Sequence, residues 1–414
     1  MGIVFWLCAI SVVCIIASVT FYKPYLGIAF VIIAIPFEGS EILDCISIYP
    51  LEVILAISVL ICIYKSIVRR YNYFGNTKLV YCCIPFILCI IFSAMKSIEL
   101  SLTVKEIVRW LELFLIYYLT INLINDEKKM RVVLYSIFLT VAMVSILGII
   151  SHIKGARAIS LFGNPNPLAG YVNLIIPVLF GMLIASVCLW ERIMLSVITA
   201  LSIVTWFVTF SRSAWLSLII IMIPFFIFNK VRRRAIFISL IIFSIFVVIV
   251  LSTDMDSILM SISKVPRILQ SIQSRFECYP IGFDIVKGDL IFGIGIGNYS
   301  LLITKFTTEM ILTQSHLHSL YLQVFVETGI MGLSAFAFWL VCIVKYLVSS
   351  WKVLEKTGSY SLFVGLVGGV IVYLINNLAD VLVVHGIHLQ WGIILGLAMV
   401  LTQFRESETC PKAV

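Results

Sequence analysis

Long apolar segments alternate with short polar turns along almost the whole chain. A run of about 18 or more apolar residues is long enough to cross ~30 Å of hydrocarbon as a helix. The pattern therefore predicts an all-α polytopic membrane protein with about 12 transmembrane helices, or 13 if the short segment 25–37 also spans. The predicted segments are 3–21, 25–37, 50–66, 78–95, 102–123, 131–151, 168–188, 192–210, 213–229, 235–253, 329–349, 360–380 and 388–404.

Composition supports this class and excludes two others. Hydrophobic residues make up 62% of the 414 residues and charged residues 12%, whereas a soluble domain carries about 25% charged residues. A water-soluble enzyme is therefore excluded. A membrane β-barrel is excluded too, because its strands alternate apolar and polar residues.

The net charge of +8 reflects topology, and we expect no nucleic-acid partner. Lysine and arginine cluster in short turns between apolar segments, at residues 65–70, 128–131, 230–234 and 345–356. Such clusters mark cytoplasmic loops, and they place the tail after Phe404 in the cytoplasm. All five histidines fall at or near the predicted outer side. We therefore expect the chemistry on the outer face.

One long outer excursion divides the chain into three parts. Residues 1–253 form the first transmembrane helices, residues 254–328 form an external loop that we expect to be catalytic, and residues 329–414 form the last helices and the cytoplasmic tail.

Two polar motifs precede that loop. Arg212, in the motif Phe210–Trp215, lies at the outer boundary between two apolar helices. An ionisable residue there favours a functional role, and a guanidinium suits bidentate phosphate binding; the alternative is an interfacial anchor. The turn at 163–167 carries Asn164 and Asn166 between glycine and prolines. It is either a plain helix-start turn or a rigid loop whose amides bind a sugar or phosphate.

The external loop carries Arg275, a glycine-rich stretch at 293–298, and two histidines, His316 and His318, with Glu327 leading into the next helix. The glycine stretch lacks the spacing and context of a dinucleotide-binding loop, so we interpret it as a turn that allows close backbone approach. His318 stands at the mouth of a helix, where a neutral imidazole can accept a proton from a hydroxyl nucleophile. The alternative is a structural role for His318, which is the more frequent role of a lone histidine.

The asparagine turn, the Arg212 motif, the stretch from Arg275 to the glycines, and the histidine motif follow one another along the chain in that order. Together they resemble the O-antigen ligase / O-antigen polymerase family of bacterial envelope glycosyltransferases. The matching stretches are FGNPNPLAGY (162–171), FSRSAW (210–215), RFECYPIGFDIVKGDLIFGIGIGN (275–298) and HLHSLYLQVFVETGIMGL (316–333). The resemblance implies about a dozen helices, one large external loop, and a place in the bacterial inner membrane. It also implies transfer of a glycan from an undecaprenyl-diphosphate carrier to a hydroxyl of a glycan or lipid acceptor, without metal or other cofactor.

Carried over by position, the resemblance gives Arg212 and Arg275 to the diphosphate and His318 to catalysis. The chain departs from the family at Ser319, where asparagine is usual, and at Tyr279-Pro280, where an aromatic residue, typically tryptophan, leads on through a continuous helix. The first departure puts any asparagine contact in doubt. The second puts the local helix geometry around Arg275 in doubt.

Elementary chemistry agrees with this assignment. Arginines stabilise the charge that grows on the leaving diphosphate, while His318 deprotonates the attacking hydroxyl. Attack from the opposite face inverts the configuration at the anomeric carbon. Lys105 and Arg109 share one helix face; they either extend the phosphate site or are neutralised by Glu106. Around this centre, we expect Asn164, Asn166, His316 and Glu327 to contact the glycan or acceptor.

Asp254 and Asp256, and likewise His385 and His388, have spacings that elsewhere can hold a metal. Solvated acids and a polar cavity rim explain them better, and we expect no metal site.

Three functions compete. A ligase moves a finished glycan to a terminal acceptor, whereas a polymerase extends a chain of repeat units by the same chemistry. A lipid-linked-oligosaccharide transporter is the third, but transporters place their sites near the bilayer midplane, often in repeated halves. Here the polar residues gather on one face, and glycan transfer of the ligase type is favoured.

Overall fold

The computed structural model describes residues 2–38, 49–68, 73, 75, 78–154, 157–228, 278–306, 316–355 and 357–409. Within these ranges the protein is all-α, as the apolar pattern predicts. Its helices are α1 (Gly2–Tyr22), α2 (Tyr25–Ala34), α3 (Pro50–Val68), α4 (Lys78–Ser93), α5 (Leu100–Leu123), α6 (Glu127–Ile153), α7 (Pro165–Ala185), α8 (Leu189–Val208), α9 (Arg212–Phe228), α10 (Tyr299–Phe306), α11 (Leu320–Leu354), α12 (Tyr360–Asn376) and α13 (Ile387–Thr409). Residues 278–286 are also helical.

Seven helices of the described ranges are long and apolar enough to cross a membrane, and four shorter ones are apolar. A multi-pass, all-helical membrane protein is thereby confirmed. The total of 12 spans remains a prediction, and the predicted helix 235–253 and the first part of the external loop lie outside the described residues.

Two helices, α7 and α13, form the centre of the molecule, and most of their residues are buried. Small residues let α12 approach α7 closely: a Cβ on Gly181 would lie 2.5 Å from the carbonyl oxygen of Ser361 and 3.0 Å from the Cα of Gly365. Helices α5 and α13 pack in the same way, because a Cβ on Gly396 would meet Thr120 at 2.7 Å. Such close contacts are typical of membrane helix pairs.

The predicted helix 329–349 begins earlier in the structure, at Leu320, and kinks at Gly329. Gly329 has φ 68° and ψ −170°, so α11 consists of a short helix up to residue 328 and a long one from residue 330. A Cβ at this position would lie 2.1 Å from the carbonyl oxygen of Ile291. Only glycine combines this φ with such close contact.

The glycine-rich stretch at 293–298, here called the glycine loop, packs against this kink. Gly293, Gly295 and Gly297 all have positive φ, and the amides of Ile294 and Gly295 donate to the carbonyls of Val326 (3.2 Å) and Glu327 (3.0 Å). The stretch is a turn of close backbone approach, as expected from the sequence.

Gly329→Ala is expected to destabilise the protein, because the added Cβ meets a carbonyl oxygen in a backbone conformation that L residues rarely adopt. Strain of this type costs about 1–3 kcal/mol before the clash is counted. The midpoint of thermal unfolding in detergent should fall clearly. Gly288→Ala is the control, since nothing lies within 4 Å of its Cβ position; equal midpoints for the two variants would contradict this account of the kink.

Candidate functional site

The turn before α11 carries His318 in a left-handed conformation, with φ 52°. Ser319 caps α11 by accepting from the amide of Leu322 at 3.5 Å. The amide of Leu320 donates to the carbonyls of Asn377 (3.0 Å) and Asp380 (3.2 Å). The turn is thus attached to the segment that follows α12.

This attachment brings an acid to the histidine. Nδ1 of His318 lies 3.9 Å from Oδ1 of Asp380, and the two side chains are 18% and 14% exposed. The pair is therefore mostly shielded from solvent but reachable from it. The separation is within ion-pair distance but longer than a hydrogen bond.

Two further histidines lie close to this pair. Burial lowers the pKa of His316, an effect that the Asp380 carboxylate opposes and the charges of His318 and Arg109 reinforce. Burial also lowers the pKa of His385, and Arg109 adds to that effect. The ring of His385 lies 6.1 Å from that of Phe162. Arg109 therefore acts on both histidines.

Arg109 itself is ion-paired. Its Nη1 lies 2.9 Å from Oε2 of Glu106, one turn earlier on α5, and the two side chains are 33% and 16% exposed. Lys105 is exposed on the same helix. Glu106 thus neutralises Arg109 in the structure, and whether Arg109 and Lys105 bind phosphate stays a prediction.

Arg212 is the first residue of α9 and is exposed. The turn before it is tight, because Phe210 has φ 52°. Trp215 stacks on Phe207 at 5.2 Å and donates from Nε1 to the carbonyl of Trp206 at 3.2 Å. These contacts hold the motif that presents Arg212.

A second arginine, Arg157, lies at this turn and was not identified from the sequence. Its Nε donates to the carbonyl of Thr209 at 2.8 Å, and the amide of Ala158 donates to the carbonyl of Val208 at 3.2 Å. Arg157 has no motif of its own, and only the fold brings it to residues so distant in sequence.

Asn164 caps α7. Its Oδ1 accepts from the amide of Asn166 at 3.0 Å, after Gly163 at φ 64°. This bond accounts for the Asn164 side-chain oxygen as part of a helix-start turn. Asn164 is exposed and Asn166 is half-buried, so contact between this turn and a glycan remains a prediction.

Glu327 is 3% exposed and lies beneath the glycine loop. Its Oε1 accepts from the amide of Tyr299 (3.4 Å) and from Nε2 of Gln323 (3.4 Å). These bonds connect the start of α10 with α11. The side chain thus has structural partners, and a glycan contact stays a prediction.

Asn298 is the second residue near the candidate site that sequence reasoning missed. It is fully buried, its Oδ1 accepts from the amide of Glu99 (2.9 Å), and its Nδ2 donates to Oγ1 of Thr103 (2.7 Å). It therefore connects the glycine loop to the N-terminus of α5, the helix that carries Arg109. Its place at the end of a glycine run was the available signal.

The structure thus brings His316, His318, Asp380, His385 and Arg109 to one region.

Arg275 lies outside the described residues, whereas Tyr279 and Pro280 lie in the helical stretch 278–286. No group of three or more histidine, cysteine, aspartate or glutamate side chains that could hold a metal occurs within the described part of the chain.

Comparison with known proteins agrees with the motif pattern. Residues 197–337 match a family model described as O-antigen ligase. The resemblance to the O-antigen ligase family is therefore confirmed over this part of the chain, which contains Arg212, the glycine loop and His318. No curated protein matches the chain.

A pH effect follows from His316. Its pKa is lowered in the folded protein from an ordinary value of 6.5, so the unfolded chain binds more protons below that pH and stability falls as the pH drops. His316→Asn should therefore lose less thermal stability than the wild type between pH 7.5 and 5.5. The comparison is made at both pH values in detergent.

Glu38 has the opposite effect on stability, because burial raises the pKa of its carboxyl to about 8 and stability due to this group rises as the pH drops. Glu38 is present in both the wild type and His316→Asn, so its effect cancels when their losses of stability are compared. Identical losses in wild type and variant would show that His316 is not held neutral by burial.

Proposed function

We propose that this protein is a membrane glycosyltransferase of the O-antigen ligase type. It transfers a glycan from an undecaprenyl-diphosphate carrier to an acceptor hydroxyl on the outer face of the inner membrane, with inversion and without a metal. The main support is the pair of His318 and Asp380, whose Nδ1 and Oδ1 atoms lie 3.9 Å apart; His318 stands in a left-handed turn, inside the residues that match the O-antigen ligase family model.

In the proposed reaction His318 is the general base. The acceptor hydroxyl gives its proton to the imidazole while its oxygen bonds to the anomeric carbon. The bond from that carbon to the carrier phosphate breaks, and the diphosphate leaves with the electron pair. The Asp380 carboxylate stabilises the imidazolium that forms.

Cationic side chains support the departure of the diphosphate. Arg212 is exposed at the start of α9, and the charge of Arg109 on α5 acts on His316 and His385. Arg275 and Lys105 complete the proposed set. When the donor binds, its phosphate oxygens replace Glu106 as the partner of Arg109. Preorganised cations in a partly desolvated site stabilise growing negative charge strongly.

The glycan itself lies on the remaining polar residues in this proposal. Asn164 and Asn166 stand on the turn that follows Phe162, whose ring contacts His385, and His316 lies beside His318. The same chemistry serves a polymerase that extends a chain of repeat units, and the size of the product separates the two reactions.

His318→Ala is expected to lower turnover by about 10²–10⁴-fold, the usual contribution of a general base. The assay uses purified protein with undecaprenyl-diphosphate oligosaccharide and candidate acceptors, and measures carrier release and product size. A single adduct indicates a ligase, and a ladder indicates a polymerase.

Lys154→Ala is the control, because Lys154 is an exposed basic residue at the C-terminal end of α6, on the predicted outer side; the turnover of this variant should equal that of the wild type. Carrier release that survives His318→Ala unchanged would remove His318 from the mechanism.

Arg212→Gln is expected to raise the KM for the lipid-linked donor by about 10- to 100-fold, since a hydrogen bond to a charged group contributes about 1.5–3 kcal/mol. Arg192→Gln is the matched control, because Arg192 lies on the predicted cytoplasmic side and donates to the carbonyl of Ser186 at 2.7 Å. An equal KM in the two variants would make Arg212 an interfacial anchor only.

A further inference from the structure

A second group of polar side chains lies beside the candidate site, between α5 and α13. Nε2 of His388 lies 3.9 Å from Oε2 of Glu112. A Cβ on Gly386 would lie 3.1 Å from Oε2 of Glu38. Arg109 and Glu112 both act on the Glu38 carboxyl, whose pKa burial raises to about 8. We call Glu38, Glu112 and His388 the acid–histidine cluster.

The cluster is buried without complete hydrogen bonding. His388 is 1% exposed and Glu38 is 9% exposed. Neither ring nitrogen of His388, nor Oε2 of Glu38, has a hydrogen-bond partner among the residues that the structure describes. Buried polar atoms in this condition are costly and require an explanation. Two carboxylates and an imidazole with hydrogen-bonding capacity to spare are suited to a polar ligand.

The backbone around the cluster also indicates a polar recess. Glu112 lies about 18 Å along the axis from the start of α5, and His388 meets it only one residue into α13. The non-helical residues 378–386 therefore reach the level of Glu112. Non-helical backbone at membrane depth occurs where it is buried in protein or lines a water-filled cavity. The unpartnered ring nitrogens of His388 favour the second arrangement, and we call this inferred cavity the recess.

Arg109 links this recess to the candidate site. The same guanidinium acts on Glu38 in the cluster and on His316 and His385 beside His318. A ligand in the recess is thus adjacent to the proposed reaction centre.

The charge of the surroundings limits the ligand class. Three carboxylates, those of Glu38, Glu52 and Glu112, interact with one another around Arg109, and Glu106 is already paired with that arginine. The cluster itself contains no lysine or arginine, and Arg109 beside it is already paired with Glu106 at 2.9 Å, so the cluster offers no fixed positive charge of its own to an anionic ligand. Hydroxyl groups, which both donate and accept, match carboxylate oxygens and imidazole nitrogens.

We propose that the acid–histidine cluster is a subsite for the hydroxyl groups of a neutral sugar ring of the glycan. This inference rests on the proposed function for the identity of the ligand as part of a glycan. It assigns a binding role to Glu38, Glu112 and His388.

The test measures sugar binding separately from transfer. Protein in lipid nanodiscs is titrated with methyl glycosides of galactose, rhamnose, N-acetylglucosamine and glucuronic acid, and binding is followed by saturation-transfer NMR. At least one neutral sugar should bind to the wild type and to His318→Ala, and glucuronic acid should bind about tenfold more weakly. Glu112→Gln and His388→Asn should each weaken the neutral sugar about tenfold or more.

Glu191→Gln is the matched control, since Glu191 is a carboxylate on the predicted cytoplasmic side that pairs with Arg131 at 3.3 Å; its sugar binding should equal that of the wild type. Thermal unfolding of every variant, with Glu112→Asp as a second substitution, shows which proteins are folded. In the transfer assay, folded Glu112→Gln should raise the KM for the glycan more than it lowers kcat.

Three outcomes overturn the subsite. They are no neutral sugar bound to the wild type, binding unaffected in the folded cluster variants, and stabilisation of the wild type but not Glu112→Gln by sodium without any sugar effect. Carrier release that continues in the first case leaves the proposed function standing. Sugar binding that depends on the cluster in a protein without carrier release supports the subsite alone.

Discussion

The close approach between the glycine loop and the kink at Gly329 is the interaction on which the proposed site depends. A kink interrupts the helical hydrogen bonds of α11, and the freed carbonyls must be paired because unpaired buried backbone groups are costly. The loop supplies the missing donors through the amides of Ile294 and Gly295, and Asn298 extends the same bonds to the start of α5. Helix α5, which carries Arg109, and helix α11, which follows the turn that carries His318, are thereby held in one arrangement.

The apolar pattern predicted most helices well because membrane helices must be long and apolar. Segment 50–66 corresponds to Pro50–Val68, and segment 360–380 contains Tyr360–Asn376. The start of α11 was placed too late, because Gln323 and Glu327 make residues 320–328 look like loop. In the structure both side chains are buried and hydrogen-bonded to each other, and a satisfied polar residue in a helix cannot be distinguished from a solvated one by sequence pattern.

The individual residues of the candidate site were predictable where a local motif marked them, as with His318 and Arg212. Their partners were not. Asp380 and Arg157 become neighbours of these motifs only through packing of segments distant in sequence. His388 was expected at a polar cavity rim, yet it is almost fully buried against Glu112. The depth of a side chain depends on where its helix begins in the membrane, and α13 begins at the level of the middle of α5.

The pairing of charges offers a physical reason for selectivity within the proposed function. Arg109 is already paired with Glu106 at 2.9 Å, so an anion must displace a carboxylate that is held one turn away on the same helix. A phospholipid phosphate carries about one negative charge, so it replaces the Glu106 carboxylate with a group of the same charge. Ordering the lipid adds an entropic cost. A diphosphate brings more than one negative charge into a partly desolvated site, where electrostatic interactions are stronger than in water. In the proposed reaction, the Glu106–Arg109 pair therefore raises the free energy that an anion must supply to bind, and a carrier diphosphate supplies it where the phosphates of the surrounding lipids do not.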